Sequence, residues 1–438
     1  MKMAKQLRRH SKTFSTILLA VLVLVTTLVS ANVVLGQDSA PPVITKSIPG
    51  TPQFASGSNT YITSATTLRV NVTDADTGVQ SCSITVTDSS NAAVLAPSCA
   101  SGDNDFTLPS SLPDGVYTIS ATATDAAGNT SSDPMTVILD NTGPNLSKTV
   151  GTPQHISGGA TYVKSTTAIS VSADDGTGSG VASCTLSGSA QVTGSYTPGS
   201  SFFLTAQDGS KTYTVNCQDN LGNQASPLTE TDTVDDTAPT ITITSPVGTY
   251  TLNQPNVVAS YSCDDGAGSG VAICAGDLSN DAIIDTSSAA LGSHTFTVKA
   301  TDNLGNAASS SADYSVRYNQ TSGRKILAPL QQVSDPAQLT KTYNLGRTLP
   351  VKFQLSDEKG AFIGTAKATL TLYDAKGAQV SVKNSGNSNG GTTAFRYDPV
   401  AQQYIYNLST KNLSQGIYKI VIKLGDGTEI STYFRLTK

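Results

Sequence analysis

One internal repeat restricts the fold of this chain more than any other feature. The segment GTPQFASGSNTYITSATTLRVNVTD (residues 50–74) recurs as GTPQHISGGATYVKSTTAISVSADD (151–175), a period of 101 residues. A third unit begins at TAPTITITSP (237–246), which matches TGPNLS at 142. One landmark holds the same place in each unit: ATDAAGN (123–129), CQDNLGN (217–223) and ATDNLGN (300–306). A second, Gly-Val-x-x-Cys, recurs at 78–82, 180–184 and 270–274. Three similar domains therefore follow one another.

Apolar residues alternate at every second position within the repeats, as at Tyr213, Val215 and Cys217. This period places them on one buried face of a strand. Units of roughly 80 to 100 residues with short strands, and with an aromatic opening the penultimate strand (Tyr117, Tyr213, Phe296), predict immunoglobulin-like β-sandwiches. Aromatic residues are only 6% of the chain, against 37 Gly and 19 Pro, which also favours short strands. The predicted class is all-β.

The first 36 residues have the pattern of an export signal. An uncharged run from Phe14 to Gly36 follows five basic residues, Lys2, Lys5, Arg8, Arg9 and Lys12. Cleavage after Gly36 and cleavage after Ala31 both fit a signal peptidase. An uncleaved anchor is the alternative, because the 20 residues from Ile17 to Gly36 are uncharged and about 20 can span a bilayer. We expect an extracellular or cell-surface protein, with membrane contact only if the signal is retained.

Charge divides the exported chain into two regions. Residues 37–324 hold 8 basic and 25 acidic side chains, whereas residues 325–438 hold 14 basic and 7 acidic ones. Glu230 is the only Glu among the 25 acids, and Asp favours turns where Glu favours helices. Nucleic acid is not an expected partner of an exported chain with this acidic balance.

Six cysteines, two in each repeat of an exported chain, predict three disulfides. Cys82, Cys184 and Cys274 share one aligned position, whereas their presumed partners differ between repeats. One pair in each repeat gives Cys82 with Cys99, Cys184 with Cys217, and Cys263 with Cys274. Free buried thiols are the alternative, and they would require a reducing compartment.

Aspartates recur in three turns of each repeat: the entering linker, the turn between the second and third strands, and the last hairpin. In an immunoglobulin-like sandwich these loops lie at one end, so several carboxylates converge there, and oxygen ligands in that number suit calcium. The candidate ligands are Asp140, Asp174, Asp175, Asp219, Asp235, Asp236, Asp264, Asp265 and Asp302, with Asp38, Asp74, Asp76 and Asp125 at corresponding places in the first repeat. The alternative is that these residues only form turns, since their spacing matches no known calcium loop.

After Arg324 the landmarks stop and the composition becomes basic and Tyr-rich, with 7 of the 16 Tyr. Strand signals include the alternating run at 350–355, and Asp426-Gly427 marks a tight hairpin. A surface of this kind could contact anionic wall polymers, although such Tyr are more often core residues and such Lys a solvated face. We expect a separate β-sandwich-like module at 326–438 that folds alone.

The repeats resemble the bacterial Ig-like and hyalin-repeat (HYR) families, whose units begin with D-x-x-x-P and end with A-T-D-x-x-G-N. The last region resembles the bacterial PxKF domain through PVKF (350–353), FRYDP (395–399) and YIYNLSTKNL (404–413). The PxKF resemblance implies a secreted protein built from Ig-like units, with no established activity for that domain. The expected domains are the signal (1–36), repeats at 37–141, 142–236 and 237–319, and the PxKF-like domain (326–438).

Catalytic motifs do not accompany this organisation. GNSNG (386–390) has the G-x-S-x-G form but no following helix, and a chain with 3 His and no Trp is a poor candidate for His-based catalysis. We therefore expect a non-catalytic protein that acts in adhesion or binding, with an extracellular protein or a wall polymer as partner. The alternatives are a passive spacer of the cell envelope and an accessory protein to a secreted hydrolase.

Overall fold

The structure is a computed structural model that describes residues 38–319, 324–382 and 394–438. The expected export signal and the match at 386–390 lie outside these residues. The described residues form two compact units, one made of those up to 149 with 169–202 and 213–230, the other of those in 150–168, 203–212 and 231–438. Within the described ranges, strands are joined by loops and by two 3-10 turns, Ser288–Ala290 and Pro336–Gln338. The all-β prediction is confirmed.

The first repeat has nine strands in two sheets. The strands are β1 (Val43–Ser47), β2 (Gln53–Ser56), β3 (Asn59–Ile62), β4 (Leu68–Thr73), β5 (Val79–Thr87), β6 (Ala93–Leu95), β7 (Gly102–Phe106), β8 (Gly115–Asp125) and β9 (Thr130–Leu139). The sheet orders are β1-β4-β7 and β2-β3-β9-β8-β5-β6, with β3 parallel to β9 and the other pairs antiparallel. Alternate residues such as Val70 on β4 and Ile119 on β8 enter one hydrophobic core.

The second repeat has the same strand order as the first, as its near-copied sequence predicts. Its strands are β10 (Asn145–Val150), β11 (Gln154–Ser157), β12 (Ala160–Val163), β13 (Ile169–Asp174), β14 (Val181–Gly188), β15 (Gly194–Tyr196), β16 (Ser201–Phe202), β17 (Gly209–Asp219) and β18 (Leu228–Val234). The orders β10-β13-β16 and β11-β12-β18-β17-β14-β15 correspond strand for strand to those of the first repeat.

The third repeat keeps the same plan with fewer strands. They are β19 (Thr240–Ser245), β20 (Gly248–Thr251), β21 (Ser260–Asp264), β22 (Val271–Gly276), β23 (Gly292–Asp302) and β24 (Ala307–Arg317). The sheets are β19-β21 and β20-β24-β23-β22, and β20 runs parallel to β24 as β3 does to β9. Tyr261, Phe296 and Val298 lie in its core.

The C-terminal region forms two further sheets. Its strands are β25 (Arg324–Leu327), β26 (Thr342–Asn344), β27 (Thr348–Leu355), β28 (Ala368–Tyr373), β29 (Gln379–Val380), β30 (Arg396–Asp398), β31 (Gln403–Ser409), β32 (Gly416–Leu424) and β33 (Glu429–Thr437). The orders are β25-β27-β31-β30 and β26-β33-β32-β28-β29. In the core, the rings of Phe353 and Tyr404 stack with centroids 4.7 Å apart. Leu252 and Tyr318 of the third repeat belong to this same core.

Each repeat contains one disulfide. Cys82 is bonded to Cys99, Cys184 to Cys217 and Cys263 to Cys274, which are the pairs named from the sequence. The second bridge joins residues directly opposite each other on β14 and β17, while the third joins β21 to β22 and so links the two sheets of its repeat. Three disulfides are typical of a protein that folds in an oxidising compartment.

The described residues contain no helix long and apolar enough to cross a membrane.

Candidate metal centre

The structure brings the aspartates together in three triads, one for each repeat. Each triad takes one residue from the entering linker, one from the turn before the Gly-Val-x-x-Cys strand, and one from the end of the strand that precedes the last hairpin. In each triad, carboxylate oxygens lie within 4.8 Å of one another. The triads are Asp38, Asp74 and Asp125; Asp140, Asp175 and Asp219; and Asp235, Asp265 and Asp302.

The third member of each triad is fixed by the D-x-x-G-N landmark. In the second repeat, Asp219 accepts hydrogen bonds from the backbone N–H of Asn223 (2.8 Å) and from its side-chain amide (2.6 Å). The glycine of this turn, Gly222, has φ +90°, a conformation that other residues rarely adopt. The landmark is therefore a turn motif that presents a carboxylate at the end of the sheet.

The Asn of the same landmark also holds the linker. The side-chain amide of Asn223 donates to the carbonyl of Asp140 at 3.0 Å, and that of Asn306 donates to the carbonyl of Asp235 at 3.0 Å. Asn129 does the same to the carbonyl of Asp38 at 3.1 Å in the first repeat. This role was not predicted from the sequence, although the recurrence of Asn at that position was visible.

The first two members of the triads in repeats two and three accept backbone hydrogen bonds from one loop. Asp140 and Asp175 accept from the N–H groups of Ser179 and Gly180, both at 2.7 Å. In the third repeat, Asp235 and Asp265 accept from Ser269 and Gly270 at the same 2.7 Å. The two repeats thus build the same carboxylate cradle.

Buried hydroxyls beside these two triads have no hydrogen-bond partner. Ser179 is 6% exposed and Ser269 is 4% exposed, and the Oγ atom of each is buried and makes no hydrogen bond of normal geometry, although the hydroxyl of Ser179 is close enough to Asp140 to lower the pKa of that carboxyl. Each residue's own N–H bonds the linker carboxylate, so each hydroxyl lies next to a triad. A buried hydroxyl without a partner carries a desolvation cost, which a ligand in the cradle would offset.

The first repeat differs at this point. Its loop is one residue shorter, and Asp74 accepts from the N–H groups of Thr77 (2.9 Å) and Gly78 (2.6 Å). Thr77 occupies the place of Ser179, and its hydroxyl donates to the carboxylate of Asp38 at 2.7 Å. This triad therefore has its hydroxyl satisfied within the protein.

Burial and mutual repulsion disfavour the ionised form of several of these carboxylates. Burial raises the pKa of Asp175 and of Asp265, and the neighbouring carboxylates of each triad raise it further. Burial also raises the pKa of Asp140. Among the described residues, no Lys or Arg forms an ion pair with a triad carboxylate. A cation in the cradle would supply the missing positive charge.

Four of the residues named from the sequence lie outside the triads, and the first of them, Asp76, donates its backbone N–H to the carboxylate of Asp74 at 3.2 Å. Asp174 and Asp264 each accept a hydrogen bond from the N–H two residues later, at 2.9 Å and 3.0 Å. Asp236 accepts from the N–H of Ser165 at 3.1 Å. These residues act as turn and linker formers, the role that was weighed as the alternative for the whole set.

The triads fit a hard cation of calcium size. Calcium takes six to eight oxygen ligands at about 2.4 Å, so two oxygens on one ion lie at most about 4.8 Å apart. The carboxylates meet that limit, and each buried Ser hydroxyl adds an oxygen in repeats two and three. Magnesium would require a nearly ideal octahedron, which three short carboxylates on separate loops do not impose.

Comparison with known proteins supports the Ig-like fold. Residues 46–141 match the family model of the bacterial Ig-like domain, and no curated protein matches the chain. The solved structures similar to it include a tetra-tandem repeat from the extending region of a large adhesion protein, at 20% identity, covering 85% of this chain and 95% of that one, with a TM-score of 0.30.

Two further solved structures have comparable coverage. One is described as a Ca2+-stabilized adhesin that helps an Antarctic bacterium reach out and bind ice (14% identity, 91% and 100% coverage, TM-score 0.25). The other comprises extracellular cadherin domains 3–6 of protocadherin gamma B2 (14% identity, 88% and 98% coverage, TM-score 0.23). The resemblances to the hyalin-repeat and PxKF families stay predictions.

Proposed function

We propose that this chain is an exported, non-catalytic adhesion protein in which calcium at the Asp triads fixes each linker to the repeat that follows it. The observation that carries the proposal is the pairing, in repeats two and three, of a three-carboxylate cradle with a buried, unsatisfied Ser hydroxyl. An acidic cluster alone would be explained by turn formation. A buried hydroxyl without a hydrogen-bond partner calls for a water or an ion at the site, and its place beside three carboxylates favours a cation.

The position of the ligands supports a role in the linker rather than in the fold of each repeat. Asp140 lies in the linker, whereas Asp175 and Asp219 belong to the second repeat, so one ion would add a bond between two segments that hydrogen bonds from Asn223 and Ser179 already connect. Each repeat has its own disulfide and hydrophobic contacts that do not involve the triad. Calcium should therefore change the linker more than the melting of a repeat.

Export and a binding role are supported by other features. The three disulfides favour an oxidising, extracellular compartment. His155 and His294 lie on β11 and β23 of different repeats, and the His294 ring is hydrogen-bonded to the carbonyl of Ala290 (2.6 Å). Neither the disulfides nor the two histidines require a catalytic function. The partner we propose is an extracellular protein or a wall polymer.

Calcium binding can be tested by calorimetric titration of the purified full chain after removal of divalent ions. Asp175→Asn and Asp265→Asn should each remove one binding event, or weaken it about tenfold or more, because each takes a charged oxygen from a cradle. The matched controls are Asp174→Asn and Asp264→Asn, whose carboxylates are adjacent in sequence but outside the triads. Equal losses in the controls, or no calcium binding up to millimolar concentrations, would overturn the calcium assignment.

The adhesion role is tested separately on cells. Fractionation should find the chain in the wall or the medium, and cells lacking it should attach less to their natural surface. Attachment should return with the unmodified chain and not with the double variant Asp175→Asn/Asp265→Asn. Normal attachment by cells without the chain would refute adhesion and leave a passive spacer role.

A further inference from the structure

A groove of about 520 Å³ lies on the C-terminal region, far in sequence from the Asp triads. It is lined by the outer face of β28, β32 and β33, by the turn at 374–377 and by Pro336. The volume falls in the range of small-ligand sites, roughly 300 to 1,000 Å³. Every lining residue belongs to the described part of the chain, and the core of the sandwich lies on the opposite face of the sheet.

Three side chains form a row across the floor of this groove. Lys419 on β32 is directly opposite Tyr373 on β28 and Tyr433 on β33 in the strand register. Strands lie about 4.8 Å apart, so the row spans about 10 Å. The ammonium of Lys419 lies 6.0 Å from the centroid of the Tyr433 ring. The groove therefore presents a cation between two aromatic side chains.

The ammonium at the centre of the row is not neutralised by an ion pair among the described residues. Lys419 is half-buried, and within the described ranges no carboxylate forms an ion pair with it. Asp374 also lines the groove, but its Oδ1 atom accepts two backbone hydrogen bonds of its own turn. Glu429, also in the lining, is opposite Lys423 in the strand register.

The surroundings extend this positive character. Lys423 and Arg435 lie on the same outward face of β32 and β33, at positions that alternate with buried residues. The region 325–438 has 14 basic and 7 acidic side chains. The net charge of the region therefore favours the approach of an anionic ligand, while the lining itself holds two carboxylates, Asp374 and Glu429, beside the one ammonium of Lys419. It is Lys419, at the centre of the row, that would place the anionic group of such a ligand.

We infer that this groove binds an acidic polysaccharide, with a sugar carboxylate on Lys419 and pyranose rings against Tyr373 and Tyr433. The two tyrosines favour an acidic polysaccharide over a glycerol-phosphate polymer as the anionic ligand. Aromatic side chains offer flat apolar faces, and a pyranose ring has apolar C–H faces that pack on them, whereas a glycerol-phosphate chain has none. The single half-buried ammonium between the two rings pairs with one carboxylate of the bound oligosaccharide.

The inference rests on the proposed adhesion role, for which it names a partner class, but it does not depend on calcium. The experiment is a calorimetric titration of the purified full chain with trigalacturonate in the presence of a chelator. Maltotriose serves as the neutral comparison and poly(glycerol phosphate) as the phosphate comparison. Failure of this titration leaves the calcium and attachment experiments unaffected, so the two proposals fail separately.

The variants locate the ligand. Lys419→Gln should weaken trigalacturonate binding about tenfold or more, because it removes a charge-assisted hydrogen bond. Tyr373→Ala and Tyr433→Ala should each weaken it about threefold to tenfold through lost ring contact. Lys423→Gln is the matched control: it removes the same charge from the same face of β32 outside the groove lining, and it should change affinity less than about twofold.

Three outcomes would overturn the inference. The first is no trigalacturonate binding at about 10 mM, the weak limit for a specific site. The second is an equal loss in Lys423→Gln and Lys419→Gln, which would indicate general charge attraction. The third is equal or tighter binding of a comparison ligand. Such binding of maltotriose would show that the carboxylate is not recognised, and such binding of poly(glycerol phosphate) would show that the sugar ring is not recognised. Lys419→Gln changes only a half-buried surface side chain, so it tests the site even if a Tyr variant fails to fold.

Discussion

Replacement of Leu252 by Ala should destabilise the C-terminal region, although Leu252 belongs to the third repeat in sequence. Leu252 follows β20, is 2% exposed and lies in the same core as Phe353 and Phe434. Truncation of a buried Leu to Ala costs about 2 to 5 kcal/mol. A mid-range cost of about 3 kcal/mol would raise the opening constant of the affected sheet about 150-fold.

Amide hydrogen exchange on the full chain, read by mass spectrometry of peptides, reports that constant for each strand. Peptides from β32 and β33 should exchange faster in Leu252→Ala by about the same factor. Val298→Ala is the control, because Val298 is fully buried in the core of the third repeat and is not part of the C-terminal core. Unchanged exchange of β32 and β33 in Leu252→Ala would refute the reasoning, and residues 326–438 would then fold without the third repeat.

The remaining predictions concern a linker contact, a disulfide and a buried acid. Asn223→Ala should lower the unfolding free energy by about 2 kcal/mol, because two hydrogen bonds are lost, one of them to a carboxylate; an unchanged urea midpoint would contradict it. Joint replacement of Cys184 and Cys217 by Ser should cost about 3 to 4 kcal/mol by loop entropy over their separation of 33 residues, again measured by urea unfolding. Burial acts to raise the pKa of Asp357, but hydrogen bonds from Asn253 and from two backbone N–H groups hold it below 3.8 overall. Its ionised form therefore stabilises the fold above pH 3.8, and this contribution disappears as the pH falls through the lowered value. The destabilisation by Asp357→Asn should accordingly be smaller at low pH than at pH 7, and a constant difference between the urea midpoints would show that the carboxylate is not the cause.

Much of the fold was predictable because the sequence repeats the same domain. A near-copy at a spacing of 101 residues can only mean two domains of the same kind, and the structure gives the two repeats the same strand order. Alternation of apolar residues located strands such as β17, where Tyr213 and Val215 are fully buried. The Asp positions were also visible, since they recur at the ends of strands that the landmarks locate.

The composition of each triad was less visible. Adjacent residues such as Asp174 and Asp175 are equivalent in sequence terms, but the strand geometry sends only Asp175 into the cradle, while Asp174 bonds its own turn. The buried Ser179 hydroxyl could not be found either, since whether a hydroxyl has a partner depends on atoms from segments far apart in the chain.

The contact between the third repeat and the C-terminal region was missed for a related reason. The change from an acidic to a basic, Tyr-rich composition after Arg324 indicated a boundary and hence an independent module. In the structure, the N–H of Tyr318 donates to the carboxylate of Asp426 at 2.8 Å, and the amide of Asn253 donates to that of Asp357 at 2.9 Å. The composition of a segment indicates whether it has enough apolar residues to form a core. It does not indicate which other segment packs against that core.

The three triads are not equivalent, and their differences indicate where a cation is most required. In the first repeat, the hydroxyl of Thr77, which occupies the place of Ser179 and Ser269, is already bonded to Asp38. The second and third repeats instead combine carboxylates of raised pKa, Asp175 and Asp265, with unsatisfied hydroxyls. The first triad is thus stabilised by the protein's own hydrogen bonds, while the later two leave positive charge and oxygen coordination to a ligand. If calcium fixes linkers in this chain, it acts first on those that enter the second and third repeats.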